Sequence, residues 1–323
     1  MAESTGIAGL EDDFQGGKQR SLWVDAMERL IRNRAAMVGL FISVLLVITA
    51  LIGPYIAPHD YIKTNIANIA ATPNATNWFG TDLIGRDIFS RILHSVRTAI
   101  FVVVVVITIS TILGIILGAA AAYLGKWVDD GIMRLTDIIL AFPDLLLVAF
   151  ISLTIRQPFV NWLGTVYQQT QWEILRDTLF LDYLIVFGAL ALVSWPGYAR
   201  LIRGQILSLR EQDFIRAQVA LGVPDRTIMF RHLVPNSIAP VIVSMSIGIG
   251  GIILLESSLS FLGFGIQPPG ASWGSMVTEN LFEWRTHPHL VLMPGLTLAL
   301  AVIGFNFLGD GLNDALNPRQ IRR

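Results

Sequence analysis

RAQVALGVPDRTIMFRHLVPN, residues 216–236, is a polar stretch between two long apolar runs in a chain that otherwise keeps charge sparse. Arg216, Arg226 and Arg231 fall inside it, and Arg210 stands just before it. Around Glu211 to Leu221 the residues Phe214, Ala217 and Leu221 recur three and four apart, which predicts a helix with one apolar face. Gly222 suits the left-handed backbone position that ends such a helix. Pro224 fits the first turn of a second short helix, Asp225 favours its start, and Pro235 can open the apolar run that follows. The expected shape is a bent pair of helices standing out between two spans. An apolar face with a basic rim suits docking into a partner. A basic loop that only fixes topology is the other reading, and the residues leave both open.

The apolar runs decide the class. Of 323 residues, 53% are hydrophobic and 15% charged, and the mean hydropathy is +0.60, the composition of an integral membrane protein. Six stretches, at 37–56, 99–122, 132–155, 181–199, 238–262 and 290–308, are long enough to cross about 30 Å of hydrocarbon. Six crossings return the chain to its starting side. Lys and Arg gather on that side, in the head, around residues 200–231 and in the tail, so both ends are expected in the cytoplasm. The formal net charge of −1 and the placing of the basic groups between apolar blocks give no reason to expect a nucleic-acid partner. With no cysteine, disulfide and thiolate chemistry are excluded. The first apolar run starts behind a polar head, too late for a cleaved leader, so the first span is expected to be retained.

This gives four regions: a cytoplasmic segment at 1–36, the first span with an outer segment at 37–98, a membrane core at 99–309 holding a cytoplasmic loop at about 204–236, and a tail at 310–323. Before the first span, Trp23, Met27, Leu30 and Ile31 form one helical stripe, with Asp25, Glu28, Arg29 and Arg32 off it. That pattern fits a helix lying on membrane lipid headgroups, or a short helix packed on a neighbour. Gly114 and Gly118 form a GxxxG, and Gly248, Gly250 and Gly251 mark the fifth run; close helix packing is the default role for both. Pro143 and Pro196 should kink the third and fourth spans. Glu256 and Asp137 are costly inside a span unless paired or wet, so each is read as a structural partner, of neighbouring serines or of Arg134, or as a pore or gate residue.

Reactive chemistry is not spelled out. His59 and His94 are isolated, His287 and His289 flank Pro288 in a loop, and no ligand set for a metal is apparent. Ser275 lacks the setting of an activated serine, and no GxxxxGK[ST] stretch exists to cradle a nucleotide. An enzyme reading is therefore weak, and no cofactor is expected in this chain.

The opening stretch resembles the cytoplasmic loop of binding-protein-dependent ABC importer permeases. There a Glu-Ala-Ala triplet is followed by Gly and later by a Leu-Pro ending; here Arg216, Ala217 and Gln218 precede Gly222, and Leu233, Val234 and Pro235 close the loop. Arg216 stands where that family has an acid, and Gln218 where it has alanine. FGTDLIGRDIFSRILHSVR at 79–97, with Gly80, Thr81, Asp82, Gly85, Arg86 and Asp87, MRLTDIILAFPDLLL at 133–147, ESSLSFLGFGIQPPGASWG at 256–274 and FNFLGDGLNDALNPR at 305–319 are similar to the C-type subunit of dipeptide, oligopeptide and nickel importers.

The resemblance implies an all-α polytopic membrane protein with six transmembrane helices, set in a bacterial-type inner membrane and forming half of a pore for dipeptides or oligopeptides. It implies a second homologous permease, two ABC ATPases holding ATP and Mg, and an extracytoplasmic solute-binding protein. ATPase coupling would fall on Phe214, Arg216, Ala217, Gln218, Leu221, Gly222, Pro224 and Arg231. Asp137, Pro143, Pro196 and Glu256 are the pore or gate candidates, and the outer segment is expected to be architectural. Import of nickel or another small solute is the alternative, and an ion-coupled secondary transporter a more distant one. The outer stretch from Gln157 to Asp182, expected as an extended loop, could touch the binding protein or cap the pore.

Overall fold

A computed structural model describes residues 22–176 and 178–316. The expectations for the rest of the head and tail, Lys18, Arg20 and Arg319 among them, lie outside the described residues, and the side chains of Trp23 and Asp25 lie outside the described side chains.

Among the described residues the chain is helical, with a single bridge between Thr81 and Asp87 in place of any sheet. The helices are α1 (Leu22–Arg32), α2 (Arg34–Ile56), α3 (Ile88–Tyr123), α4 (Lys126–Leu140), α5 (Asp144–Thr170), α6 (Thr178–Arg210), α7 (Asp213–Ala220), α8 (Asp225–Ile228), α9 (Val234–Phe261), α10 (Trp273–Glu279) and α11 (His289–Leu316). Six are long and apolar enough to cross a membrane: α2, α3, α5, α6, α11, and α9 together with α8. Leu30 of α1 is buried with Ala36 at the start of α2 and Ala315 at the end of α11, so the first and last described helices meet on one side, here called the near side. The opposite side is the far side.

A central cluster of Val102 and Val106 from α3, Val148 from α5, Leu190 from α6, Ile253 from α9 and Ala301 from α11 ties the spans together. Lipid is as apolar as these side chains, so close fit and satisfied backbone do the work that water exclusion does in soluble proteins. Small residues permit that fit. A Cβ on Gly114 would overlap Tyr198, and one on Gly118 would overlap the Ala199 carbonyl, so the GxxxG of α3 is the seam against α6. A second seam escaped the sequence reading: a Cβ on Gly39 would sit 2.5 Å from the Leu308 amide nitrogen, where α2 crosses α11. Phe41, Leu51, Val104, Ile116 and Phe150 point outward as an apolar belt.

The third crossing differs from expectation. The run at 132–155 is not one kinked helix: α4 ends at Leu140, and Pro143 stands in extended conformation as the cap of α5. Proline disfavours helical backbone in the residue before it, which stops α4 short. The span therefore begins at Asp144, and Asp137 belongs to a separate near-side helix. At its other end α5 stays helical through Pro158 to Thr170, so the expected loop at 157–182 contracts to a turn after Gln171, whose φ is +56°, a short 3-10 stretch and the start of α6. Pro196 lies inside α6, which runs unbroken.

Candidate functional site

Two surfaces and one buried cluster hold most of the residues singled out by sequence. The first surface is the near-side corner made by α7 and α8. α7 ends in a Schellman motif: the Val223 amide donates to the Gln218 carbonyl at 3.1 Å and the Gly222 amide to the Val219 carbonyl at 3.0 Å. Gly222 has φ +73° and open space around it, so its requirement is conformational, not steric. Pro224 is the N-cap of α8, one position ahead of the expected first turn, and its carbonyl accepts from Thr227 at 2.8 Å. α8 then passes through a π turn at Met229–Leu233 straight into α9, so the second helix of the pair is the start of the fifth span.

Ile215 seats the corner. It is buried beneath α7 against Ile202 and Ile206 of α6 and against Ile228, Met229 and Leu233. The opposite face is uncovered: Phe214 and Ala217 are exposed, and Leu221 is 82% exposed. The periodicity found the outward face and missed the inward one, because Ile215 lies one residue off the 214–217–221 stripe. Arg216 pairs with Glu211 of its own chain at 2.7 Å, both side chains exposed. Gln218 is half-buried with its carbonyl oxygen unpartnered among the described residues, and Arg231 is exposed.

The second surface is a groove of about 660 Å³ between α5, α6 and α9. Its floor is one stripe of α9 from Pro240 to Ser258 that includes Ser244, Gly248 and Gly251, and at 1.5 Å per residue this runs roughly 27 Å, close to the thickness of the hydrocarbon. Ser194, Gly197 and Tyr198 of α6 form one wall, flanking Pro196, and Asp144 and Leu145 next to Pro143 close the near-side end. Spacing of small residues at 244, 248, 251 and 258 was the signal available in the sequence. Gly250, read together with its neighbours, instead faces Asn306 of α11.

The two candidate carboxylates do not reach this groove. Asp137 pairs with Arg200 of α6, not with Arg134 as expected, and Arg203 grips Asp129 in a fork at 2.5 and 2.6 Å. α4 is thus bound along the near-side half of α6. Glu256 is buried and accepts hydrogen bonds from Ser260 at 2.8 Å and Ser257 at 3.3 Å. Ser260 in turn accepts from the Ile266 amide at 3.2 Å, so Glu256 organises the turn that leaves α9.

The buried cluster lies on the far side. Asp82 accepts from Arg86 Nε at 2.6 Å and Arg91 Nη1 at 2.8 Å, and both arginines also reach Glu279 of α10, at 2.6 and 2.9 Å. Arg91 and Asp82 are each 1% exposed. Asp87 caps α3 by accepting from the Ser90 amide at 2.8 Å and receives Asn77 at 2.8 Å. Thr81 ties the Ala71 amide, at 2.9 Å, to the Asn68 carbonyl. Gly80 and Gly85 turn at φ +79° and +78° against the carbonyls of Ala71 and Asn65. Two cations and two anions balance here. Arg91 and Glu279 went unnoticed in the sequence because 188 residues separate them.

Residues 110–322 match the family described as binding-protein-dependent transport system inner membrane component, and residues 21–74 match the N-terminal TM domain of oligopeptide transport permease C. The chain is 39% identical to the dipeptide transport system permease protein of Alkalihalophilus pseudofirmus, over 93% of this chain and 90% of that protein. It is 34% identical to the oligopeptide transport system permease protein of Bacillus subtilis, over 94% and 91%. A glutathione transport system permease protein of Pectobacterium atrosepticum is also 34% identical, over 93% and 92%.

Proposed function

Because the chain belongs to the family of binding-protein-dependent transport system inner membrane components, we propose that it is the permease subunit of an ATP-driven importer of dipeptides or oligopeptides and forms half of the translocation pore. The observation that carries this reading is that the same two helices do both jobs. α6 and α9 line the groove, and their near-side extensions hold the α7–α8 corner between them. A push on the corner therefore moves the groove walls directly.

The six spans and the family make the chain a multi-pass inner-membrane protein. Its near side faces the cytoplasm, supported by the weight of Lys and Arg there. Of the two ABC ATPases, which hold the ATP and Mg, one docks on the exposed Phe214, Ala217 and Leu221 around the bend at Gly222. A homologous permease closes the open side of the groove, and an extracytoplasmic binding protein delivers the peptide. Closure of the ATPases shifts the corner, and the groove opens alternately to either side. Asp82, Arg86 and Arg91 hold the far-side scaffold against which α6 and α9 move.

Reconstitution tests this reading. Liposomes holding this chain, the second permease and both ATPases should accumulate a dipeptide only with ATP and the binding protein, whereas the purified chain alone should bind no nucleotide. Uptake that follows an ion gradient without ATP, or nucleotide binding by the isolated chain, overturns it.

A further inference from the structure

Asp144 has no structural employment. Among the described residues it is the only charged side chain lining the groove, it is exposed, and it has neither an ion-pair partner nor a hydrogen-bond donor. The two acids of α4 that face α6, Asp129 and Asp137, are taken by Arg203 and Arg200, and Glu211 by Arg216. Other near-side acids unpaired among the described residues, such as Asp213 and Asp225, line no part of the groove. An acid in the first turn gains from the helix dipole of α5, but that gain does not require it to face a groove. The remaining lining is apolar or carries hydroxyls, from Ser194, Tyr198, Ser244 and Ser258, and no basic residue is part of it. An apolar cleft with one carboxylate at its mouth concentrates a negative field there and attracts cations. It offers nothing comparable to an anion.

Resting on the permease reading, we propose that Asp144 is a specificity-determining residue that engages the positively charged end of the cargo, the free α-ammonium group of a short peptide, as it passes the near-side mouth of the groove. An ammonium is a compact donor that a single carboxylate can meet with a charge-assisted hydrogen bond. The apolar walls accept side chains of any sequence, so the groove reads the common feature of peptides and leaves their side chains unread. The peptide's carboxylate has no counterpart in this chain's half.

The chain contains no cysteine, so Asp144→Cys can be given its charge back chemically. With cysteine-free partners in liposomes, ATP-driven dipeptide uptake by Asp144→Cys should fall roughly tenfold, the scale of one hydrogen bond to a charged group. A methanethiosulfonate carrying sulfonate should restore most of it, while hydroxyethyl and trimethylammonium reagents should not. Peptide should also slow the labelling. Uptake that is unchanged in the cysteine variant, or that the three reagents alter alike, overturns the proposal. Should that variant not assemble, Asp144→Glu against Asp144→Asn reads the same contrast: uptake within about twofold of the parent for the first and a clear loss for the second, with equal uptake overturning it. A parent complex that imports no peptide refutes the permease reading itself. A parent that imports normally beside charge-blind variants refutes only the role of Asp144.

Discussion

The far-side segment at residues 57–87 and the near-side corner at 211–236 are both polar interruptions of an apolar chain, and they are built on opposite plans. At the far segment the charges singled out are matched and mostly buried: Asp82 and the partly exposed Glu279 of α10 against Arg86 and Arg91, Asp87 against the start of α3. In the corner Arg216 and Glu211 form an ion pair that lies in water, and the apolar residues Phe214 and Leu221 are uncovered. A region whose bonding is complete within one chain holds its shape unaided. One whose apolar face is left open becomes complete only against something else, and this contrast is what supports the proposal that the corner is a surface for a partner.

That contrast can be broken, and the largest effect is expected at the far side. Arg91→Ala leaves Asp82 and Glu279 short of a buried cation, a change that costs about 3 to 5 kcal/mol. The variant should lose thermal stability and membrane yield before it loses any specific step of transport. A variant as stable as the parent would mean that the cluster is wet.

Next comes Gly274, whose added Cβ would run into the Ser257 carbonyl where α10 docks on α9. Gly274→Ala should cost about 1 to 3 kcal/mol as overpacking and separate α10 from the exit of the fifth span. Unfolding in detergent measures it; an unshifted transition would show that the junction gives way freely.

The corner should answer differently. Gly222→Val meets no neighbour, so its cost is the left-handed conformation alone, about 1 to 2 kcal/mol. Insertion should be normal while substrate-stimulated ATP hydrolysis drops, and Gly222→Asn, which tolerates that conformation, should recover most of it. Stimulated turnover equal to the parent in the valine variant would detach the bend from coupling.

Smallest is Arg216→Glu. The exposed pair with Glu211 is worth about 0 to 1 kcal/mol, so folding should not change. Assembly with the ATPases should weaken if an acidic residue faces Arg216 there, and charge reversal at that residue should rescue it. Unaltered assembly and turnover would leave Arg216 as a surface pair of its own chain.

The spans themselves were written in hydropathy, and Gly222 in the local grammar of helix ends. Both signals are local, and both are present in the structure. The third span was misplaced because α4 carries enough apolar residues, Leu135, Ile138 and Ile139 among them, to extend a hydropathy window across Pro143. Ile215 was missed because a helix of eight residues offers little more than two turns from which to choose a face. The groove and the Arg91–Glu279 link depend on which helices become neighbours, and pairs so distant in sequence leave no periodic trace. Asp144 stood in a quoted motif as a charge within the third run with no role assigned to it, since an acid beside a proline reads as an ordinary helix start.

The π turn at Met229–Leu233 fixes an angular relation. It joins α8 to α9 without a break, so the second arm of the corner and the groove stripe belong to one rod, and the five-residue hydrogen bond from the Val234 amide to the Met229 carbonyl sets how far that rod is turned. Each residue of helix advances the side chains by about 100°. Removing one residue from the regular helix between Leu233 and Ser244, with the π turn kept, would leave the length and hydropathy of the rod almost untouched, yet would swing Ser244, Gly248 and Gly251 out of the groove while the corner kept its facing. The segment thus behaves like a keyed shaft: its sequence can drift at lipid-facing positions, but the number of residues between Gly222 and Ser244 is a quantity the machine counts.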